Sequence, residues 1–226
     1  LGDVYKRQIS NPELSRLHCM THYPKDPKCE ICNRCKVQKK QCRKVESRSE
    51  FSWIEPTSFA DLLIADFKII AESNVNNQSR DGHRTAYVMQ DWYTRTLAAY
   101  PSKTRTTEEI KMHNMLFLGP RSTPKAYYSD NASEIKAAVT ALGCPSANCT
   151  PHIPQTNGIA ENCVRRVSEG TACLLMQSGF SNHWWSDAMQ HFCFSRNITD
   201  LIIYPDGSRM TPYQKRHDSD FPGLLV

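Results

Sequence analysis

The run from Asp61 to Ile70, Asp-Leu-Leu-Ile-Ala-Asp-Phe-Lys-Ile-Ile, constrains this chain more than any other stretch. Between Leu62 and Ile70 only Asp66 and Lys68 interrupt it, and the apolar positions do not alternate. That pattern predicts a central strand buried on both faces, within a sheet covered on each side. The β-rich runs Thr85–Gln90 and Arg95–Tyr100, separated by Asp91-Trp92-Tyr93-Thr94, predict a hairpin. Thr106 with Glu109 predicts a capping box that opens a helix to about Leu118. Lys125–Ser129 reads as a short strand ending at Asp130. Ile135, Ala138, Val139 and Leu142 fall on one helical face, stopped by Gly143. Pro145–Pro154 reads as extended, and Asn157–Met176 and His183–Ile198 as helices. The order predicts an α/β layered domain with a mixed sheet.

At 226 residues the chain can hold one good-sized domain and a small appendage. It has no stretch of the roughly 20 apolar residues that a membrane helix needs, and residues 1–20 lack the apolar segment of a secretory signal. Ten cysteines without an export signal predict reduced thiols or metal ligands, not a disulfide scaffold. The net charge of +5 is unevenly spread: residues 1–48 carry +7 and the remainder −2. Asp3-Val4-Tyr5-Lys6-Arg7-Gln8 resembles a translated sequencing-library adapter, so residues 1–15 are set aside as a non-native or disordered leader. With Leu1 at its start and an apolar run at its end, the chain reads as an internal fragment of something longer. The expected divisions are a metal-binding module at 16–44, a polar linker at 45–57, a core at 58–200 and a truncated extension at 201–226.

Three acids carry the chemistry. Asp66 lies inside the apolar strand, where an ionised carboxylate is costly unless it is paired or metal-bound. Asp130 falls where a strand passes into a helix, and alone it reads equally as an N-cap. Glu161 lies on a helix, where a solvated side chain is the ordinary outcome. A strand-centre Asp, a strand-end Asp and a helical Glu from three different elements are what a two-metal phosphoryl site requires. Magnesium takes hard oxygen ligands, and two such ions clamp the attacking and leaving oxygens of an in-line displacement.

Tyr128-Ser129-Asp130-Asn131-Ala132-Ser133-Glu134, followed by Pro154-Gln155-Thr156-Asn157-Gly158-Ile159-Ala160-Glu161-Asn162, resembles the catalytic core of retroviral and LTR-retrotransposon integrases. His183-Trp184-Trp185-Ser186-Asp187-Ala188 and Met210-Thr211-Pro212-Tyr213 are similar to the copia-like branch. The resemblance, from about His18 to His217, implies a ribonuclease-H-like fold with a mixed five-stranded sheet and a D, D, E triad on Asp66, Asp130 and Glu161 holding two Mg²⁺ or Mn²⁺ ions. Thirty residues separate Asp130 from Glu161, a shorter spacer than is usual in that family, and Ala132 stands where it prefers glycine. His152–Gly158 matches the family's mobile active-site loop, which gives Asn157 a DNA-facing role. Arg165 and Ser168 share the helical face of Glu161; Arg165 can reach a DNA phosphate or pair with Glu161.

Five cysteines fall between Cys19 and Cys42. His18-x3-His22-x6-Cys29-x2-Cys32 offers two imidazoles and two thiolates at spacings a tetrahedral zinc accepts. The integrase family's HHCC module has the same order, so the resemblance supports this set as a structural Zn²⁺ site. Cys35 or Cys42 replacing a histidine, or an iron–sulfur run through Cys29, Cys32 and Cys35, remain alternatives. Lys36, Lys39, Lys40, Arg43 and Lys44 form a basic run that reads as a phosphate-tracking arm.

The expected function is DNA integration: metal-dependent phosphoryl transfer joining element DNA ends to target DNA. The resemblance implies DNA as partner, homo-oligomeric assembly, a cytoplasmic particle and then action in the nucleus. The alternative is a catalytically inactive or domesticated nucleic-acid-binding or assembly protein of the same fold. A cut-and-paste transposase is disfavoured by the zinc-type head and the Thr211-Pro212-Tyr213 tail.

Overall fold

A computed structural model describes residues 16–36, 55–71, 75–119, 122–129, 132–148 and 154–223; for 75, 146–148 and 154–157 it describes the backbone alone. Among these residues five strands build the main sheet: β1 (Leu62–Ile69), β2 (Thr85–Asp91), β3 (Leu97–Ser102), β4 (Ala126–Ser129) and β5 (Ser146–Asn148). Their order is β3-β2-β1-β4-β5. The apolar run is therefore the middle strand, as its lack of alternation requires. β1 pairs antiparallel with β2, with Asp66 opposite Val88, and parallel with β4, with Ala65 opposite Ser129. The mixed five-stranded sheet with flanking helices is the architecture expected from the sequence.

The two-residue period of β1 divides the core. Leu62 and Ile64 face a layer built by α5 (Pro154–Ser178) and α6 (Trp185–Thr199), where Val167, Trp185, Met189 and Phe192 are buried. Leu63 and Ala65 face α3 (Thr107–Leu118) and α4 (Ser133–Ala141), through Ile110, Phe117, Ile135 and Val139. The capping box of α3 is present: Glu109 N donates to Thr106 Oγ1 at 3.3 Å and Thr106 N to Glu109 Oε2 at 3.4 Å. The hairpin turn is held by Asp91, whose Oδ2 accepts from Thr94 N and Oγ1, both at 2.7 Å. Asp91 is thus a structural residue.

α5 begins at Pro154, three residues before the expected Asn157. Proline suits the first helical turn, where its missing N–H costs nothing, and helix continuity overrides the Asn157-Gly158 turn signal. Pro154–Gly158 is accordingly helical rather than loop, and His152 lies outside the described residues. α5 and α6 approach closely at Gly170. A Cβ there would stand 2.1 Å from Phe192 Cε2, inside any van der Waals contact.

Among the described residues, two short helices form the head, α1 (Arg16–Thr21) and α2 (Glu30–Cys35). It packs on the C-terminal half of α5, burying Ile31, Cys32 and Cys173 together, and Thr21 Oγ1 donates to Asp200 at 2.7 Å. After α6, β6 (Ile202–Ile203) pairs with β7 (Arg209–Met210) and leads to α7 (Pro212–His217). α7 is tied back to the core by Arg216, whose Nη2 donates to Phe117 O at 3.0 Å. Among the described residues no helix is long and apolar enough to cross a membrane.

Candidate functional site

Side-chain alternation places Asp66 on the face of β1 that carries Leu62 and Ile64, the face α5 covers. Its Oδ1 accepts from Phe67 N at 2.7 Å. Ala160 and Cys163 of α5 are buried in the layer with Ile64, and Cys163 Sγ donates to Gln90 at 2.9 Å. Burial raises the Cys163 thiol most; three arginines oppose that rise, and the Asp66 carboxylate adds to it. Asp66 therefore lies close enough to α5 to be felt electrostatically. Glu161, between Ala160 and Cys163, is exposed. Asp130 lies outside the described residues, directly after Ser129, which pairs with the residue preceding Asp66.

Arg165 is exposed and its Nη2 donates to Asn162 at 2.8 Å; no ion pair joins it to Glu161 among the described residues. Ser168 bonds back to Val164 O at 2.8 Å. Asn157 belongs to α5, and its side chain is outside the described residues.

In the head, His18, His22, Cys29 and Cys32 bring one ligand atom each to within 4.8 Å of all the others, and all four are buried. His22 Nδ1 lies 3.4 Å from Cys29 Sγ and 3.7 Å from Cys32 Sγ, and His18 Nε2 lies 3.5 Å from Cys32 Sγ. Zinc bonds of about 2.05 Å to nitrogen and about 2.3 Å to sulfur, at a tetrahedral angle, set N···S at about 3.5 Å. The donor set and its spacing fit zinc. Cys29 also caps α2, its Sγ accepting from Cys32 N at 3.5 Å, so the ligand loop and helix start are one construction.

Burial lowers the His22 imidazole to about 4, against an opposing hydrogen bond to Gln177, and pushes the Cys32 thiol up to about 11. Both values follow from a closed interior that disfavours charge. A zinc ion held there would need neutral imidazoles, which His22 offers, and thiols that have given up their protons. Cys35 does not join the four: its Sγ turns to Met176 Sδ at 3.7 Å. Cys42 lies outside the described residues.

Lys36 is buried, its Nζ donating to His22 O at 2.6 Å, so its charge is spent inside the head. Lys39, Lys40, Arg43 and Lys44 lie outside the described residues. Two residues of the site carried no signal in the sequence. Gln177, near the end of α5, meets His22 Nε2 at 2.7 Å, and Asp200, just past α6, receives Thr21. Both are ordinary polar residues at helix ends until the head folds onto them.

No known family profile matches the chain, and no curated protein matches its sequence. Solved structures do match. A chain of the simian T-cell lymphotropic virus intasome, in complex with PP2A regulatory subunit B56 gamma, is 16% identical over 75% of this chain, with a TM-score of 0.49. The match spans 60% of that viral chain. The catalytic core domain of BIV integrase is 18% identical over 70% of this chain and 95% of its own, with a TM-score of 0.48. The HTLV-2 integrase catalytic core domain in complex with magnesium is 16% identical over 72% of this chain and 100% of its own, with a TM-score of 0.47.

Proposed function

We propose that this chain is an integrase of the retroviral and LTR-retrotransposon kind, with copia-like features, and that it joins element DNA ends to target DNA. The observation that carries the reading is the register of β1. Asp66 occupies the strand face beneath the helix of Glu161, while Ser129, immediately before Asp130, pairs with Ala65, immediately before Asp66. Sheet pairing sets the strand that precedes Asp130 beside that of Asp66, and helix packing lays the helix of Glu161 over the Asp66 face, which supports the reading.

Asp66, Asp130 and Glu161 would hold the divalent ions, Mg²⁺ or Mn²⁺. When bound, such ions activate the attacking oxygen and stabilise the leaving one. The chain's own part is to fix three carboxylates on a strand, a strand end and a helix, and to present Arg165 beside Glu161 for a DNA phosphate. His18, His22, Cys29 and Cys32 would hold a structural zinc that closes the head against α5. Action in the nucleus, after a cytoplasmic particle, as a homo-oligomer released from a polyprotein completes the proposal.

The test is Mg²⁺- or Mn²⁺-dependent joining of a labelled DNA end to a plasmid, with Asp66→Asn alongside. Joining that disappears in the variant while DNA binding persists supports the enzyme. Unchanged metal binding in Asp66→Asn, with joining absent from both proteins, favours the non-catalytic assembly protein instead.

A further inference from the structure

A cavity of about 310 Å³ opens where the head, the β2–β3 turn and helices α5 and α6 meet. Three arginines line it: Arg95 from the turn, Arg166 from α5 and Arg196 from α6, beside Trp92 and the head's Tyr23. Arg196 is almost wholly buried, with Nη1 donating to Arg95 O at 3.0 Å and Nε 3.9 Å from Asp200. Arg95 lays its guanidinium over the Trp92 ring at 3.7 Å. Arg166 has no hydrogen-bond or ion-pair partner among the described residues.

Among the described residues, no carboxylate lines the cavity. Asp200 is the acid paired with an arginine here, and Thr21 also claims it at 2.7 Å. The nearby Asp91 is committed to Thr94 and to Ala60 N at 2.9 Å. Partly desolvated cations without counter-charge are costly, and guanidiniums offer planar, paired donors suited to phosphate oxygens. Burial depresses Arg196 to about 10, and Arg166 adds to that depression, consistent with a site short of negative charge.

We propose that Arg95, Arg166 and Arg196 form a phosphate-binding site, and that its occupant is a backbone phosphate of a nucleic-acid strand lying across the junction of head and core. Neither Asp66 nor Glu161 lines the cavity. Only the choice of strand over free anion rests on the integration reading. The cavity is larger than a lone phosphate needs, and it opens at the junction with the head, where a strand can pass.

The experiment uses the zinc-loaded full chain and two probes, inorganic phosphate and a labelled single-stranded oligonucleotide, read by thermal shift and by fluorescence anisotropy. Phosphate is expected to raise Tm, and the oligonucleotide to bind with phosphate competing. Arg166→Gln should lose the phosphate-induced shift and weaken oligonucleotide binding at least tenfold, while its Tm without phosphate stays equal to or above wild type, because a repelling cation is gone. Arg166→Lys should recover part of both. Both probes should bind without added Mg²⁺ or Mn²⁺, which separates this site from the triad. Phosphate and oligonucleotide binding unchanged in Arg166→Gln would overturn the site. A phosphate shift that the oligonucleotide does not compete for would overturn the strand as occupant.

Discussion

His22 Nε2 meets Gln177 Oε1 at 2.7 Å, while the opposite ring nitrogen, Nδ1, faces Cys29 and Cys32. The amide oxygen accepts only if Nε2 carries the proton, so a residue of α5 sets which histidine nitrogen is free to bind metal. Outer partners of this sort typically change metal affinity by about 10–100-fold. Gln177→Leu is expected to lower zinc affinity by about that factor in a chelator competition. Gln177→Glu, which keeps an acceptor oxygen, should retain most of it. Equal affinity in Gln177→Leu would reject the coupling.

Because Cys32 lies in α2 and packs with Cys29 against Cys173 of α5, zinc should stabilise both helices. Zinc at 100 times its Kd contributes about 2.7 kcal/mol, or about 5–10 °C in Tm for a domain this size. Chelation should lower Tm accordingly and speed amide exchange in Cys32–Cys35 and Cys173–Gln177 more than in β1. Cys32→Ser should show the lower Tm and no response to zinc.

Glu161 is exposed and Asp66 is half-buried, so their substitutions separate chemistry from folding. Glu161→Gln is expected to leave Tm within about 1 °C and to cut strand joining by about 10²-fold or more, the scale of losing a metal's charge stabilisation. Joining at wild-type rates in Glu161→Gln would remove that residue from the triad.

Gly170→Ala drives a methyl into the ring of Phe192, which is 2% exposed. Overpacking of that kind costs about 1–3 kcal/mol. Combining it with Phe192→Leu should cost less than the sum of the two single changes, since the smaller side chain vacates the contact. Additive losses in urea melts would mean that the two sites relax independently.

Asp61 anchors the start of β1. It accepts from Thr57 N at 2.8 Å and Ser58 N at 2.9 Å, and Lys125 Nζ lies 2.6 Å away. Burial would raise its carboxyl, but Lys125 and the Thr57 and Ser58 donors outweigh it and hold it below the usual carboxylate range. A depressed folded-state pKa adds stability above the unfolded value, about pH 4, and that stability is lost as pH falls below it. Asp61→Asn should therefore cost about 1.5–3 kcal/mol at pH 7, the worth of a charge-assisted hydrogen bond, and lose less than wild type between pH 4 and pH 2. Parallel acid-unfolding curves would contradict this.

Local sequence carried much of the architecture because its signals are local. An unbroken apolar run must be buried on both faces, and β1 lies in the middle of the sheet. Thr106 and Glu109 need only three residues between them to cap a helix, and they do. The spacing of His18, His22, Cys29 and Cys32 within fifteen residues made them one candidate ligand set, with Cys35 and Cys42 as rivals. Asn157-Gly158 weighs strongly as a turn by itself, whereas a helix entered through Pro154 absorbs both residues, so α5 starts before the point its local signals indicate.

Long-range partners had no such signature. Cys35 has the same spacing credentials as Cys32, and it is the packing of α2 on α5 that turns it toward Met176 and away from the four ligands. Lys36 looked like the first residue of a basic arm until the fold buried its ammonium against His22 O. Gln177, Asp200 and the three arginines of the junction cavity stand on elements that meet only after the head closes on α5 and α6. The sequence by itself determined which residues must be buried and which types of ligand are present, because periodicity and composition act along the chain. Only the tertiary structure decided which polar groups face one another, because hydrogen bonds and charge pairing depend on distances across elements that no local pattern encodes.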